Sequence, residues 1–170
     1  MKTHTKLWVV VGLMFSFMVT TVSAAALSDK TAPSCTLTEL DGAPVHNLQE
    51  LQGQVVYVDF WASWCPPCVR SFPFLNQLAH DLKDQGLRVV GVNLDENLAD
   101  AEKFLVKYPA DFSIVTDPGK QCAKDFNVIA MPSSYLIDRK GVIRHIHQGF
   151  RVGEVQALRH MIEQLLMEPL

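Results

Sequence analysis

Cys65-Pro66-Pro67-Cys68 is the segment whose residue types and spacing speak most directly of chemistry. Two thiols this close can form a disulfide and open again, storing two electrons. The reactive species is the thiolate, so something must favour the ionised form of one of them. Proline is tolerated in a first helical turn, where its missing N–H would have no partner anyway. A helix that starts at Pro66 aims its free N–H groups and partial positive charge at the Cys65 sulfur. Cys65 is then the attacking cysteine, and Cys68, one turn on, the resolving one. As a staple, so small a ring would gain little loop-closure entropy. As half of a metal site it would need a second close pair, and Cys35 and Cys122 are isolated in sequence. His145-x-His147 alternates along a strand and could add nitrogen ligands, but reads as a solvent-facing pair. A metal-binding module is thus the rival of a different class. The redox reading needs neither a metal nor an organic cofactor.

The elements that must hold this pair follow from hydrophobic period. Residues 55–61, VVYVDFW, form a nearly continuous apolar run rich in β-branched and aromatic types, the pattern of a strand buried on both faces. A helix over 66–85 is predicted by Phe72, Leu75, Leu78, Ala79 and Leu82 at helical spacing, with Gly86 as its C-cap. Residues 87–94 read as a second buried strand, and strand, helix, strand implies a crossover between parallel strands. Further on, the pattern predicts a helix over 98–108, a strand over 112–115 and a helix over 120–126. Strands over 133–137 and 142–147 follow, joined by an Asp138–Gly141 turn, and the last helix spans 153–167. Upstream, residues 35–40 read as a short alternating strand, with Asp41-Gly42 turning into a return strand over 44–46. Asn47 caps a short helix ending near Gly53. The sum is one three-layer α/β domain.

Composition and the first residues set the compartment. The chain has 170 residues and a net charge of −3. Residues 1–6 are short and basic, residues 7–22 apolar and uncharged, and Val22-Ser23-Ala24 offers small residues to a signal peptidase. Residues 1–24 therefore read as a signal peptide, or as an uncleaved anchor, since the apolar stretch is long for a signal. Residues 25–33 form a connector and 34–168 the domain. Either reading places the domain in the periplasm, tethered to the inner membrane if the signal stays. Without residues 1–24 the balance is 13 basic against 18 acidic residues, net −5, which argues against nucleic acid as a partner.

Asp59-Phe60-Trp61-Ala62-Ser63-Trp64-Cys65-Pro66-Pro67-Cys68 resembles the active-site segment of the thioredoxin superfamily. Phe72-Pro73, residues 36–42, Val92-Asn93-Leu94, Met131-Pro132-Ser133 and residues 135–141 narrow the resemblance to the TlpA/ResA-type periplasmic thiol–disulfide oxidoreductases. It runs from about Cys35 to the C-terminus. It implies a thioredoxin-like three-layer fold with an N-terminal β-hairpin and a central helical insertion. It also implies reduction of disulfides in extracytoplasmic protein substrates by a monomer that a membrane electron donor recharges. The same-class alternative is an oxidase or isomerase. Strong oxidases tend to carry a histidine between the cysteines, and Pro66-Pro67 lacks it.

Several further residues acquire expectations. An unpaired carboxylate at Asp59, mid-strand, is costly, so it should have a raised pKa or a partner. The resemblance gives it a role in proton transfer at Cys68. It also makes Pro132 cis and facing the cysteines, with Met131 beside the substrate. Trp64 covers the pair, and Pro66 and Pro67 join it as substrate-binding residues. Trp61 is packing. Glu96 matches a position where some relatives place an accessory acid. The chain departs from those relatives at Ser71, where they often carry an acid. Val128-Ile129-Ala130-Met131 also lacks the Gly-Val-Tyr-Gly pattern of dedicated cytochrome c maturation reductases. Cys35 and Cys122 are either buried free thiols or a second disulfide, if their Cα atoms come within about 7 Å.

Overall fold

The computed structural model describes residues 30–40 and 47–169. The expected signal peptide, most of the connector and the hairpin's turn and return strand lie outside these residues. A six-stranded sheet has the order β1-β4-β3-β2-β5-β6. Its strands are β1 (Thr38–Glu39), β2 (Val55–Trp61), β3 (Leu87–Asn93), β4 (Ser113–Thr116), β5 (Ser133–Ile137) and β6 (Ile143–Gln148). Four helices accompany them: α1 (Pro66–Leu82), α2 (Leu98–Lys107), α3 (Gln121–Asp125) and α4 (Val155–Met167). Mixed strand directions and helices on both faces make this a thioredoxin-like α/β fold.

β2 sits at the centre, parallel to β3 and antiparallel to β5. All seven of its residues are buried, which explains its unbroken apolar run. Alternation along β2 feeds two half-cores. Tyr57 and Trp61 point to the face covered by Phe72 and Leu78 of α1, Phe104 of α2 and Ile162 of α4. Val58 and Phe60 point to the other, with Phe126, Tyr135, Cys35 and Cys122. The helical insertion α2 is tied to the site by aromatic contacts, the Phe104 ring lying 4.9 Å from Trp61 and 5.0 Å from Phe72 between centroids. Such pairs add roughly 0.5–1.5 kcal/mol beyond their burial.

Three elements differ from expectation by more than one residue at an end. The first strand shrinks to Thr38–Glu39, paired with Thr116 and Val115 of β4, although its alternation survives in the burial of Cys35 and Leu37. The first helix ends at Leu82, and Lys83–Gln85 tighten into a 3₁₀ turn before Gly86 takes φ 99°, a left-handed conformation that glycine adopts without steric cost. The last helix likewise begins with a 3₁₀ turn at Val152–Glu154. Pro73 lies inside α1, as the sequence requires.

Gly91 of β3 stands opposite Asp59 and Ile114. A Cβ there would come within 2.9 Å of Ile114 Cδ1 and Phe112 Cε2 and 3.2 Å of Trp61 Nε1. The aromatic floor of the site therefore occupies the space a side chain would need. Gly91→Ala should lower stability by roughly 1–3 kcal/mol, the usual cost of overpacking, as read from the denaturant midpoint. An unchanged midpoint would mean that this floor is loosely packed.

Candidate redox site

Cys65 is the N-cap of α1, with extended backbone (φ −98°, ψ 100°), and Pro66 and Pro67 fill the first helical positions. Its sulfur accepts the Cys68 backbone N–H at 3.3 Å. The same N–H also donates to the Cys65 carbonyl at 3.0 Å, and the contact of the sulfur with the positive end of the helix favours a thiolate when the pair is reduced. In the structure the two sulfurs are bonded, at 2.05 Å, with Cα atoms 5.3 Å apart. Cys68 is fully enclosed, whereas Cys65 keeps 2% exposure beside the exposed Pro66 and Trp64. Trp64, the residue before Cys65, is 64% exposed.

Two loops flank Ser63 and Trp64, the residues just before the pair. The Met131–Pro132 peptide bond is cis, Pro132 is buried, and its carbonyl accepts Gly149 N–H at 2.8 Å, which fixes the loop to the strand that follows. Met131 is half-buried and packs against both half-cores. A groove of about 1060 Å³ runs from Trp64 and Met131 past Ile129 to Glu96, Asp100 and Lys124. Glu96 is exposed on its wall.

The neighbouring acid, Asp95, was not legible as a site residue, yet it is the better anchored of the two. It is buried, and its carboxylate accepts Ser63 N–H at 2.9 Å, Ser63 Oγ at 2.8 Å and Asn93 Nδ2 at 2.7 Å. Those bonds pin the residue two places before Cys65. Lys120 Nζ donates to the carbonyls of Leu94 and Asp95, holding the same loop from the other side. Asn93-Leu94-Asp95 carries the short-range signal of an Asn that caps its own chain, but nothing in it names a partner 32 residues away.

Asp59 is 1% exposed and points, with Tyr57 and Trp61, to the α1 face of the sheet. The Ser134 hydroxyl donates to its Oδ1 at 2.6 Å, while Oδ2 has no hydrogen-bond partner. Burial raises its pKa to about 7, and the Ser134 bond opposes that rise only in part. Tyr57, which also engages Ser134, is pushed well above the usual phenol range by burial and by the Asp59 charge. A carboxyl that titrates near neutrality can take or give a proton at physiological pH, and this one lies on the face of the sheet that carries the cysteine pair.

Cys35 and Cys122 form a second disulfide, with Cα atoms 5.3 Å apart, buried in the half-core opposite the site. It ties the N-terminal segment to α3. His145 and His147 stack at 6.3 Å between ring centroids. The solvent-facing expectation fails for His147, whose side chain is 11% exposed, because β6 turns that face toward the segment leading into α4. No group of three or more histidine, cysteine or acidic side chains placed to hold a metal occurs among the described residues. Nor, among them, is any helix long and apolar enough to cross a membrane.

Comparison with known proteins agrees with this geometry. The Redoxin family profile matches residues 27–162. Thiol-disulfide oxidoreductase ResA of Geobacillus kaustophilus is 36% identical over 134 residues, spanning 79% of this chain and 76% of the relative. A crystal structure from Chlorobium tepidum, assigned as a thiol:disulfide interchange protein DsbE, is 43% identical with a TM-score of 0.78, covering 82% of this chain and 97% of that one. A solution structure from Bacteroides thetaiotaomicron, assigned as a protein disulfide isomerase, is 28% identical with a TM-score of 0.75, covering 83% and 91%.

The buried acid has a thermodynamic signature. An acid whose folded pKa lies above its unfolded value of 3.8 keeps its proton where the unfolded chain has already lost one. Its contribution to stability is full below pH 3.8, is lost as pH rises toward 7, and is level above that. Relative to Asp59→Asn, the oxidised wild type should lose on the order of a few kcal/mol across that window, measured by denaturant unfolding at each pH. Parallel curves for the two proteins would contradict the assignment.

Proposed function

The chain belongs to the Redoxin family as a ResA-like thiol–disulfide oxidoreductase, and from that premise we propose that it reduces protein disulfides outside the cytoplasm. The observation that carries the reading is the Cys65 sulfur at the N-cap of α1, receiving the Cys68 N–H. Reduced Cys65 attacks one sulfur of the substrate disulfide as a thiolate. That S–S bond breaks, the first substrate thiolate leaves and takes up a proton, and a Cys65–substrate disulfide remains. Cys68 gives its proton to Asp59 and attacks the Cys65 sulfur. The second substrate thiolate leaves, and the Cys65–Cys68 disulfide closes. Two electrons pass from the dithiol to the substrate, with no other redox group involved.

The position of Cys65 at the N-cap, between the exposed Trp64 and Pro66, with Cys68 inside α1, supports this division of labour. Pro66 and Pro67 leave no side chain between the cysteines that could stabilise the reduced thiolate further, which favours the reducing direction. Trp64 and Met131 border the groove in which an extended substrate segment lies against the backbone of the loop that ends at cis-Pro132. Glu96, on the groove wall, is the accessory acid. The Cys35–Cys122 disulfide is structural: it lies in the half-core on the other face of the sheet and ties the N-terminal segment to α3. The protein acts as a monomer, its domain over 34–168, exported by residues 1–24 and recharged by a membrane electron donor.

Trapping tests this reading. Cys68→Ser should accumulate a covalent adduct with disulfide substrates that dithiothreitol releases, because the mixed disulfide can no longer resolve. Cys65→Ser should neither form the adduct nor reduce insulin, while Cys35→Ser, Cys122→Ser should retain both activities. An adduct that forms through Cys68 instead, or a stoichiometric metal held by the reduced pair, would overturn it.

A further inference from the structure

A base that is sealed from water must shed the proton it holds before it can take one from Cys68, so that proton needs a route out within each turnover. Asp59 is 1% exposed, and its neighbour on β3 is Gly91, which offers no side chain. Tyr57, on its own strand, is held as a neutral phenol. Trp61 Nε1, on the same face, is also buried without a partner, but an indole N–H can only donate. The direction that can accept a proton runs sideways along the sheet. The register pairs Asp59 of β2 with Ser134 of β5, and Ser134 with His147 of β6. Directly opposed residues on antiparallel strands project to the same face, so the three side chains form one row over two strand spacings, roughly 10 Å. The row runs along the face that carries the cysteine pair and ends at the edge strand of the sheet.

Both ends of this row hold an unused polar atom. Asp59 Oδ2 and His147 Nε2 are buried without a hydrogen-bond partner, and Ser134 between them donates to Asp59 Oδ1 at 2.6 Å. His147 Nε2 also lies 3.4 Å from Glu154 Oε2, an ion-pair distance without a hydrogen bond. Glu154 is at the surface, where Arg151 holds it at 3.1 Å. Burial of unpaired nitrogen and oxygen is costly, so two such atoms at the two ends of one row call for a function.

We propose that His147 is the proton exit for Asp59, passing to Glu154 and water the proton that Asp59 takes from Cys68 by way of the Ser134 hydroxyl. This rests on the reading of Asp59 as the base for Cys68. The transfer balances at each atom. The Asp59 proton moves to the Ser134 oxygen as the Ser134 proton moves to the imidazole nitrogen, leaving a carboxylate, an intact hydroxyl and an imidazolium, which then releases its proton outward. Burial holds His147 below the ordinary imidazole range, with Arg151 adding to that and Glu154 opposing it, so the ring is a neutral acceptor at neutral pH. His145, stacked on it, is lowered by burial and by His147 itself. His147 is a positioning and relay residue, since it touches neither sulfur nor substrate.

The full chain, reduced at the Cys65–Cys68 pair, is mixed with limiting 5,5′-dithiobis(2-nitrobenzoate) in a stopped-flow instrument between pH 5 and 8. Attack by Cys65 releases the first thionitrobenzoate, and resolution by Cys68 releases the second. His147→Phe and the polarity-keeping His147→Gln should slow the second phase by about tenfold, at the low end of general acid–base effects, and flatten its pH dependence, with the first phase unchanged. Neither should slow it further in an Asp59→Asn background. If Asp59→Asn slows the second phase while both His147 variants run at the wild-type rate, the exit is refuted and the base reading stands. If Asp59→Asn has no effect, the base reading fails and takes the exit with it. Slowing by His147 variants that adds to that of Asp59→Asn, or that falls on the first phase, also refutes the relay.

Discussion

One hydrogen bond organises the molecule's chemistry: the Cys68 amide donating to the Cys65 sulfur at the start of α1. It exists only because α1 begins at Pro66, and α1 begins there because β2 delivers the chain to that point from the centre of the sheet. Every other constraint protects this hand-over. Seven buried residues hold β2 in register between β3 and β5, and its final residue, Trp61, is locked between Phe72 and Phe104. Asp95 then fastens Ser63 by two hydrogen bonds, so the residues between strand and helix have little freedom to wander. A thiolate stabilised by a helix terminus gains from a fixed position, because the effect fades beyond the first turn.

The same strand carries the site's main cost. Placing Asp59 on the face of β2 that packs against α1 puts a carboxyl where water cannot reach it, and only one of its oxygens finds a donor. Stability alone would favour an apolar residue there. A carboxyl kept near neutral pKa by burial is, however, suited to exchange protons with a buried thiol at physiological pH. The opposite face of β2 has no such compromise. There Phe60, Phe126 and Tyr135 pack ring against ring, and the Cys35–Cys122 disulfide ties the N-terminal segment to α3. One face of the sheet is given to chemistry and the other to cohesion.

Local signals in the sequence reached most of this. The bounds of β2 coincide with its apolar run, α1 starts at the proline pair, and the mid-strand position of Asp59 foretold its perturbed titration. What stayed hidden depends on partners far apart along the chain. Nothing near Thr38 says that it will pair with Thr116, and Cys35 and Cys122 are 87 residues apart. Glu96 drew attention over Asp95 because the hydrogen bonds of Asp95 to Ser63 arise only once β3 lies beside β2. His147 read as solvent-facing because alternation along β6 sets which face a side chain takes, while the covering of that face by Glu154 comes from chain folded back afterwards.

The central claim, that the Cys65–Cys68 dithiol is a reductant whose thiolate rests on the start of α1, is tested most directly by its reduction potential. The mature domain would be equilibrated with oxidised and reduced dithiothreitol, with Trp64 fluorescence as the readout. The account predicts a potential near that of thioredoxin, about −270 mV. A value near about −120 mV, the range of strong disulfide donors, would contradict it.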